Sequence, residues 1–208
     1  MKTLFLLAAL AASLPASILQ TPYQSSGGGT LTSATITNPS PNNNNPNSTG
    51  QSPNLFTIVE SIASIPGPFG IGFAVNPSSA STEYFVTKTI TNTSLVAWTS
   101  FTVGVGCNDG LTRCSGFDPL LMDYDIAPTN SIGGASLSTI GPVSFTFSNF
   151  NLAPSSTMTI TFSMDTCAQC TGGWLLQEIP GSGVPEPATY ALTGTAMLGL
   201  GYAARRRR

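Results

Sequence analysis

Thr157-Met158-Thr159-Ile160-Thr161-Phe162-Ser163-Met164-Asp165 alternates without interruption. Met158, Ile160, Phe162 and Met164 fall on one side; Thr157, Thr159, Thr161, Ser163 and Asp165 fall on the other. A period of two is that of a β-strand, and the split into an apolar and a polar side predicts an antiparallel strand with one face on a core. Just upstream, Val143-Ser144-Phe145-Thr146-Phe147 repeats the pattern, with Val143, Phe145 and Phe147 inward. Residues 83–91 form a third such run, in which Tyr84, Val86 and Ile90 share a face. Asn92-Thr93-Ser94 reads as a turn into residues 95–105, where Ala97, Phe101, Val103 and Val105 share a face. Residues 55–59, 69–75 and 173–178 are further strand candidates. Seven or so short strands separated by Gly, Pro and Asn turns predict an all-β protein, a β-sandwich of Ig-like or jelly-roll topology.

Outside this region the composition changes. Residues 18–54 carry Ser25-Ser26-Gly27-Gly28-Gly29 and Pro39-Ser40-Pro41-Asn42-Asn43-Asn44-Asn45-Pro46-Asn47, which hold too little apolar surface to offset the entropy of ordering. They read as a flexible lead-in with one short strand at 30–37, followed by an ectodomain at 55–183. Between residues 18 and 183, Lys88 and Arg113 stand against Glu60, Glu83, Asp109, Asp118, Asp123, Asp125, Asp165 and Glu178, so two bases and eight acids leave this part at −6. An acidic domain without a basic patch is a poor binder of nucleic acid. The chain has no histidine, which removes Ser-His-Asp and Cys-His catalysis and His-ligated zinc.

The two ends carry addresses. Met1-Lys2 precedes the apolar run Thr3-Leu4-Phe5-Leu6-Leu7-Ala8-Ala9-Leu10-Ala11-Ala12 and then Ser13-Leu14-Pro15-Ala16-Ser17. This is the layout of a secretory signal peptide at 1–17, with candidate cleavage after Ser13, Ala16 or Ser17, and it implies Sec export. At the other end stand Val184-Pro185-Glu186-Pro187, the uncharged stretch 188–204, and Arg205-Arg206-Arg207-Arg208. Those 17 uncharged residues would make a helix of about 25 Å, a short transmembrane span. The four arginines predict that its far end stays in the cytoplasm. Tyr190 and Tyr202 lie near the two ends of the span, where aromatic residues prefer the interface. Pro185 and Pro187 keep Glu186 extended, as a protease site requires.

These three parts, in this order, resemble the PEP-CTERM sorting signal of bacterial exported proteins, over residues 184–208. The resemblance implies recognition around Pro185-Glu186-Pro187 by the membrane protease-transpeptidase exosortase, transient anchoring in the inner membrane, and removal of the anchor. It also implies a destination in the envelope, at the cell surface or in the extracellular matrix, often in company with exopolysaccharide or biofilm. Members of this group differ widely upstream of the signal, so the resemblance assigns no activity to residues 18–183.

An exported chain with Cys107, Cys114, Cys167 and Cys170 is expected to form disulfides, and four cysteines allow three pairings. Cys107–Cys114 with Cys167–Cys170 is the favoured one; the cross-linked pairings stay open. A zinc site would conflict with an oxidising compartment, and a Cys-x-x-Cys redox motif belongs on an α/β scaffold. Asp118, Asp123 and Asp125 suggest a calcium loop, but the rest of the EF-hand pattern is missing, and a solvated acidic loop is the plainer reading. Glu60, Glu83 and the aspartates offer carboxylate pairs for a glycosidase. Trp98 and Trp174 are candidates for an aromatic carbohydrate-binding face, or for the core. Asn47-Ser48-Thr49 and Asn92-Thr93-Ser94 fit the N-glycosylation triplet by chance in a bacterial chain. The function expected from the sequence is therefore a non-enzymatic surface or matrix protein without cofactor or metal. A carbohydrate-binding module and a carboxylate-dependent hydrolase are the alternatives.

Overall fold

A computed structural model describes residues 18–19, 22–40, 43, 51–63, 68–76, 81–106, 121–124, 126–166 and 172–182. Thirteen strands are present among them: β1 (Ile18–Leu19), β2 (Tyr23–Ser26), β3 (Gly29–Thr37), β4 (Leu55–Ile62), β5 (Phe69–Asn76), β6 (Thr82–Asn92), β7 (Trp98–Gly106), β8 (Leu121–Asp123), β9 (Thr129–Asn130), β10 (Ser136–Ile140), β11 (Ser144–Leu152), β12 (Thr157–Thr166) and β13 (Gly172–Gly181). They form two sheets packed as a sandwich. The first sheet runs β1-β5-β13-β7-β11-β10, with β2 also on β5; the second runs β3-β4-β6-β12-β8, with β9 also on β12. β4 and β6 pair in parallel, and every other pairing is antiparallel. From β4 to β8 each connection crosses from one sheet to the other.

β12 lies between β6 and the short edge strands β8 and β9 of the second sheet and buries the predicted face: Met158, Ile160, Phe162 and Met164 are all at most 1 % exposed. Its ten residues pair with β6 from Thr157↔Thr91 to Thr166↔Thr82 without a register shift. Across the sandwich β5, β7, β11 and β13 supply Phe69, Ile71, Phe73, Phe101, Val103, Val105, Phe145, Phe147, Trp174 and Leu176 to the same core. Phe145 of the first sheet meets Phe162 of the second edge to face, with ring centroids 5.3 Å apart. Interdigitated aromatic and branched side chains between two inner faces are what hold such a sandwich together.

A band of hydroxyls crosses the opposite face of the second sheet. Thr35, Thr57, Thr87, Thr161 and Thr129 stand in register across β3, β4, β6, β12 and β9. The Thr91 and Thr157 hydroxyls lie 3.0 Å apart, and those of Thr129 and Thr161 lie 2.6 Å apart. Threonine suits these positions because its branched Cβ favours the strand and its hydroxyl bonds across to the next one.

All seven strands expected between residues 55 and 178 are present, most of them longer than expected. Within residues 18–54 the short strand expected at 30–37 is present as β3, which pairs with β4 from Gly29↔Ile62 to Thr37↔Leu55 and places Leu31, Ala34 and Ile36 against the core. Between Leu31 and Ser33 the register shifts, so the inward set changes parity from odd to even. That shift hides the alternation. Further along, the expected strand at 95–105 starts at Trp98, because a buried side-chain knot occupies the residues before it. Asn92 is fully buried. Its amide donates to the Val96 and Leu152 carbonyls at 2.9 Å each, and its Oδ1 accepts from the Ser94 backbone N–H at 3.0 Å and the Ser94 hydroxyl at 2.6 Å. The Ser94 hydroxyl oxygen in turn accepts from Trp98 Nε1 at 3.1 Å. Asn92→Ala removes the four side-chain bonds and takes this donor from the buried Leu152 carbonyl, while the Ser94 hydroxyl still donates to the Val96 carbonyl. We expect a loss of about 2–3 kcal/mol, read as a lower urea midpoint at unchanged slope; an unchanged midpoint would show that the knot is dispensable.

Candidate functional site

Three strands direct charged side chains into the dry core. On β4 the inward series is Phe56, Ile58, Glu60, Ile62; on β6 it is Tyr84, Val86, Lys88, Ile90; on β13 it is Trp174, Leu176, Glu178. Register surrounds each charge with apolar neighbours. Glu60 lies between Leu31 and Ile90, Lys88 between Ile58 and Ile160, and Glu178 between Phe69 and Val103. Glu60 is 1 % exposed, and Lys88 and Glu178 are fully buried.

The three groups meet. Lys88 Nζ lies 3.1 Å from Glu60 Oε1 and donates to Glu60 Oε2 at 3.2 Å. It also donates to Glu178 Oε1, on the opposite sheet. Two carboxyls and one ammonium cannot all be ionised cheaply away from water. Burial, and then the Glu60 carboxylate, push Glu178 well above the usual carboxylate range, against the pull of Lys88. Burial also opposes the Lys88 ammonium, but the carboxyls of Glu178 and Glu60 outweigh it and raise Lys88 above the usual lysine range. The cluster is thus neutral when it holds one ammonium, one carboxylate and one carboxylic acid, with Glu178 the acid. Glu178 Oε2 and Glu60 Oε1 have no hydrogen-bond partner.

This cluster escapes the sequence reading, which groups Tyr84, Val86 and Ile90 and passes over Lys88 between them. The signal is present: each charge sits at an even step in an apolar series, so burying that face buries the charge. Glu60 and Glu83, joined in the sequence reading as a carboxylate pair, lie on opposite faces of the second sheet. Glu83 shares its outer face with Asp165 and Asp123 through the pairings Asp165↔Glu83 and Ser163↔Asp123. Glu60 does find a second carboxyl, Glu178, but inside a sealed core where no glycoside can reach it. Among the described residues no group of three His, Cys, Asp or Glu side chains could hold a metal ion.

Trp98 is fully buried and Trp174 is 7 % exposed, so both serve the core rather than an aromatic binding face. Trp98 does not turn away from the Phe101 side as strand parity suggests. It stacks on Phe101 with centroids 5.6 Å apart, next to a register irregularity between Ser148 and Leu152 of the partner strand. Asn92, inside its knot, is inaccessible to glycosylation. The remaining predicted sites, Cys107, Cys114, Cys167, Cys170, Asp118, Asp125, Asn47, the signal peptide at 1–17, Val184, Pro185, Glu186, Pro187, the span at 188–204 and Arg205, Arg206, Arg207 and Arg208, lie outside the described residues. Among the described residues no helix is long and apolar enough to cross a membrane. No protein-family model matches this chain, and no curated protein or solved structure does either.

Proposed function

We propose that this protein is a non-enzymatic structural domain of the bacterial cell surface or extracellular matrix, exported through Sec and released from a temporary membrane anchor by exosortase. The observation that carries the reading is the order of three parts in the tail: the Pro185-Glu186-Pro187 break, the uncharged residues 188–204, and Arg205 to Arg208. The fold is compatible with it. A two-sheet sandwich with its one described lysine sealed in the core and a band of threonine hydroxyls across one outer face suits a passive, durable element. That threonine face is the one we assign to contact with exopolysaccharide, because hydroxyls bond a neutral sugar polymer without needing fixed charge. The topology we favour is jelly-roll rather than Ig-like: β5, β13, β7 and β11 are neighbours in one sheet, β4, β6, β12 and β8 in the other, and eight of the twelve connections between successive described strands cross from sheet to sheet.

Export is tested with a reporter fused after Gly183. It should be active only in an export-competent assay, since Lys2 and the terminal arginines both start on the cytoplasmic side and everything between them crosses. Activity of that fusion in the cytoplasm would contradict the reading.

A further inference from the structure

We propose that Lys88 and Glu178 become joined by an amide bond formed within the folded domain, with Glu60 as the proton shuttle, so that the two sheets are covalently tied. Such a reaction needs an amine against a carboxyl, a second acid–base group beside both, and the absence of water. All three are present in this cluster. Lys88 Nζ is in hydrogen-bond contact with Glu178 Oε1, and on its other side it reaches both Glu60 oxygens, at 3.1 and 3.2 Å. No member of the cluster is more than 1 % exposed. The apolar register neighbours Ile58, Ile160, Phe69 and Val103 close around it.

Nothing from outside is required. One proton moves from the Lys88 ammonium to the Glu60 carboxylate, which turns an ammonium, a carboxylate and an acid into an amine and two acids with no change in total charge. In a dry core this removes two opposite charges, so it is far cheaper there than in water. The Lys88 lone pair attacks the carboxyl carbon of Glu178. A C–N bond forms, and the carbonyl electron pair moves onto oxygen. Glu60 then protonates the departing hydroxyl, the C–O bond breaks, and one water leaves. The nitrogen returns a proton to Glu60, which ends as the neutral acid. Lysine loses two of its three ammonium hydrogens, Glu178 loses its hydroxyl, and the balance is one amide and one water. Holding the reacting groups together supplies the large effective concentration that a condensation in water lacks. Glu178 rather than Glu60 is the electrophile because Lys88 Nζ makes its closest contact with Glu178 Oε1, and burial favours the uncharged form of Glu178. The bond would close a 90-residue separation in sequence and run between sheets; a bond to Glu60 would stay within one.

The test is the mass of the full chain after export, denatured and reduced. The bond lowers it by about 18 Da, the mass of one water, relative to the sequence of the same processed form. Trypsin should no longer cut after Lys88, and fragmentation should find Lys88 and Glu178 in one branched peptide. Glu60→Gln keeps the size of the side chain but cannot shuttle the proton, so that variant should fold and show the full mass. Should it fail to fold, the wild-type mass still decides. A wild-type protein of full mass that trypsin cuts after Lys88 overturns the proposal. So does a branch that joins Lys88 to Glu60, or a link that forms equally well in folded Glu60→Gln. The readout is independent of exosortase, so it stands or falls separately from the proposed route to the surface.

Discussion

Replacing Lys88 by methionine is expected to destabilise the domain by about 3–5 kcal/mol through its stranded partners alone. Methionine fills the lysine's space with apolar atoms, so packing between Ile58 and Ile160 changes little. What changes is that Glu60 and Glu178 remain fully buried without a cation. Urea unfolding followed by the fluorescence of Trp98 and Trp174, both buried, reads the loss. A change within about 0.5 kcal/mol, typical of a surface site, would show that the cluster does not matter to stability. The triple variant Lys88→Met, Glu60→Leu, Glu178→Leu separates charge from link. It strands no carboxyl, and apolar replacement of a buried ion cluster is often neutral or stabilising. Any deficit that remains measures the amide. By the loop-entropy argument used for disulfides, closing 90 residues is worth about 4–5 kcal/mol.

The second large effect lies in the tail. Changing Pro185-Glu186-Pro187 to three alanines should abolish processing and trap a membrane-anchored precursor. The prolines deny the segment a helical start; alanine is the best helix former, so the span could extend backward through the cleavage region. Neutralising Arg205 to Arg208 should also impair retention, because no charge then holds the end on the cytoplasmic side. Membrane fractionation and blotting separate the two forms. Wild-type processing of the alanine variant would remove the triplet from the recognition step.

The strands were legible wherever alternation runs unbroken, as in β12 and β6. β3 is legible as the short strand at 30–37, but which of its residues face inward is not, because its bulge between Leu31 and Ser33 breaks the parity. β1, β2, β8, β9 and β10 span two to five residues each, too few for a period to register, and their partners rather than their own sequences define them. The charged cluster was hidden for a different reason. A lysine at an even step of an apolar face reads as an interruption until pairing shows that Glu60 and Glu178 arrive beside it from elsewhere in the chain. Sequence periodicity reports which face is inside, but not which inside groups meet. Glu83 shows the converse: a carboxyl that looked like a partner for Glu60 stands on the other side of the same sheet.

On the proposed route, the sandwich is delivered to the surface and cut free from its membrane anchor. The most direct measurement is the C-terminal mass of the mature surface protein, taken from cells with and without exosortase. Residues 188–208 should be missing from the mature form when exosortase is present and retained when it is absent. A mature surface protein that still ends in Arg208 in the presence of exosortase would contradict it.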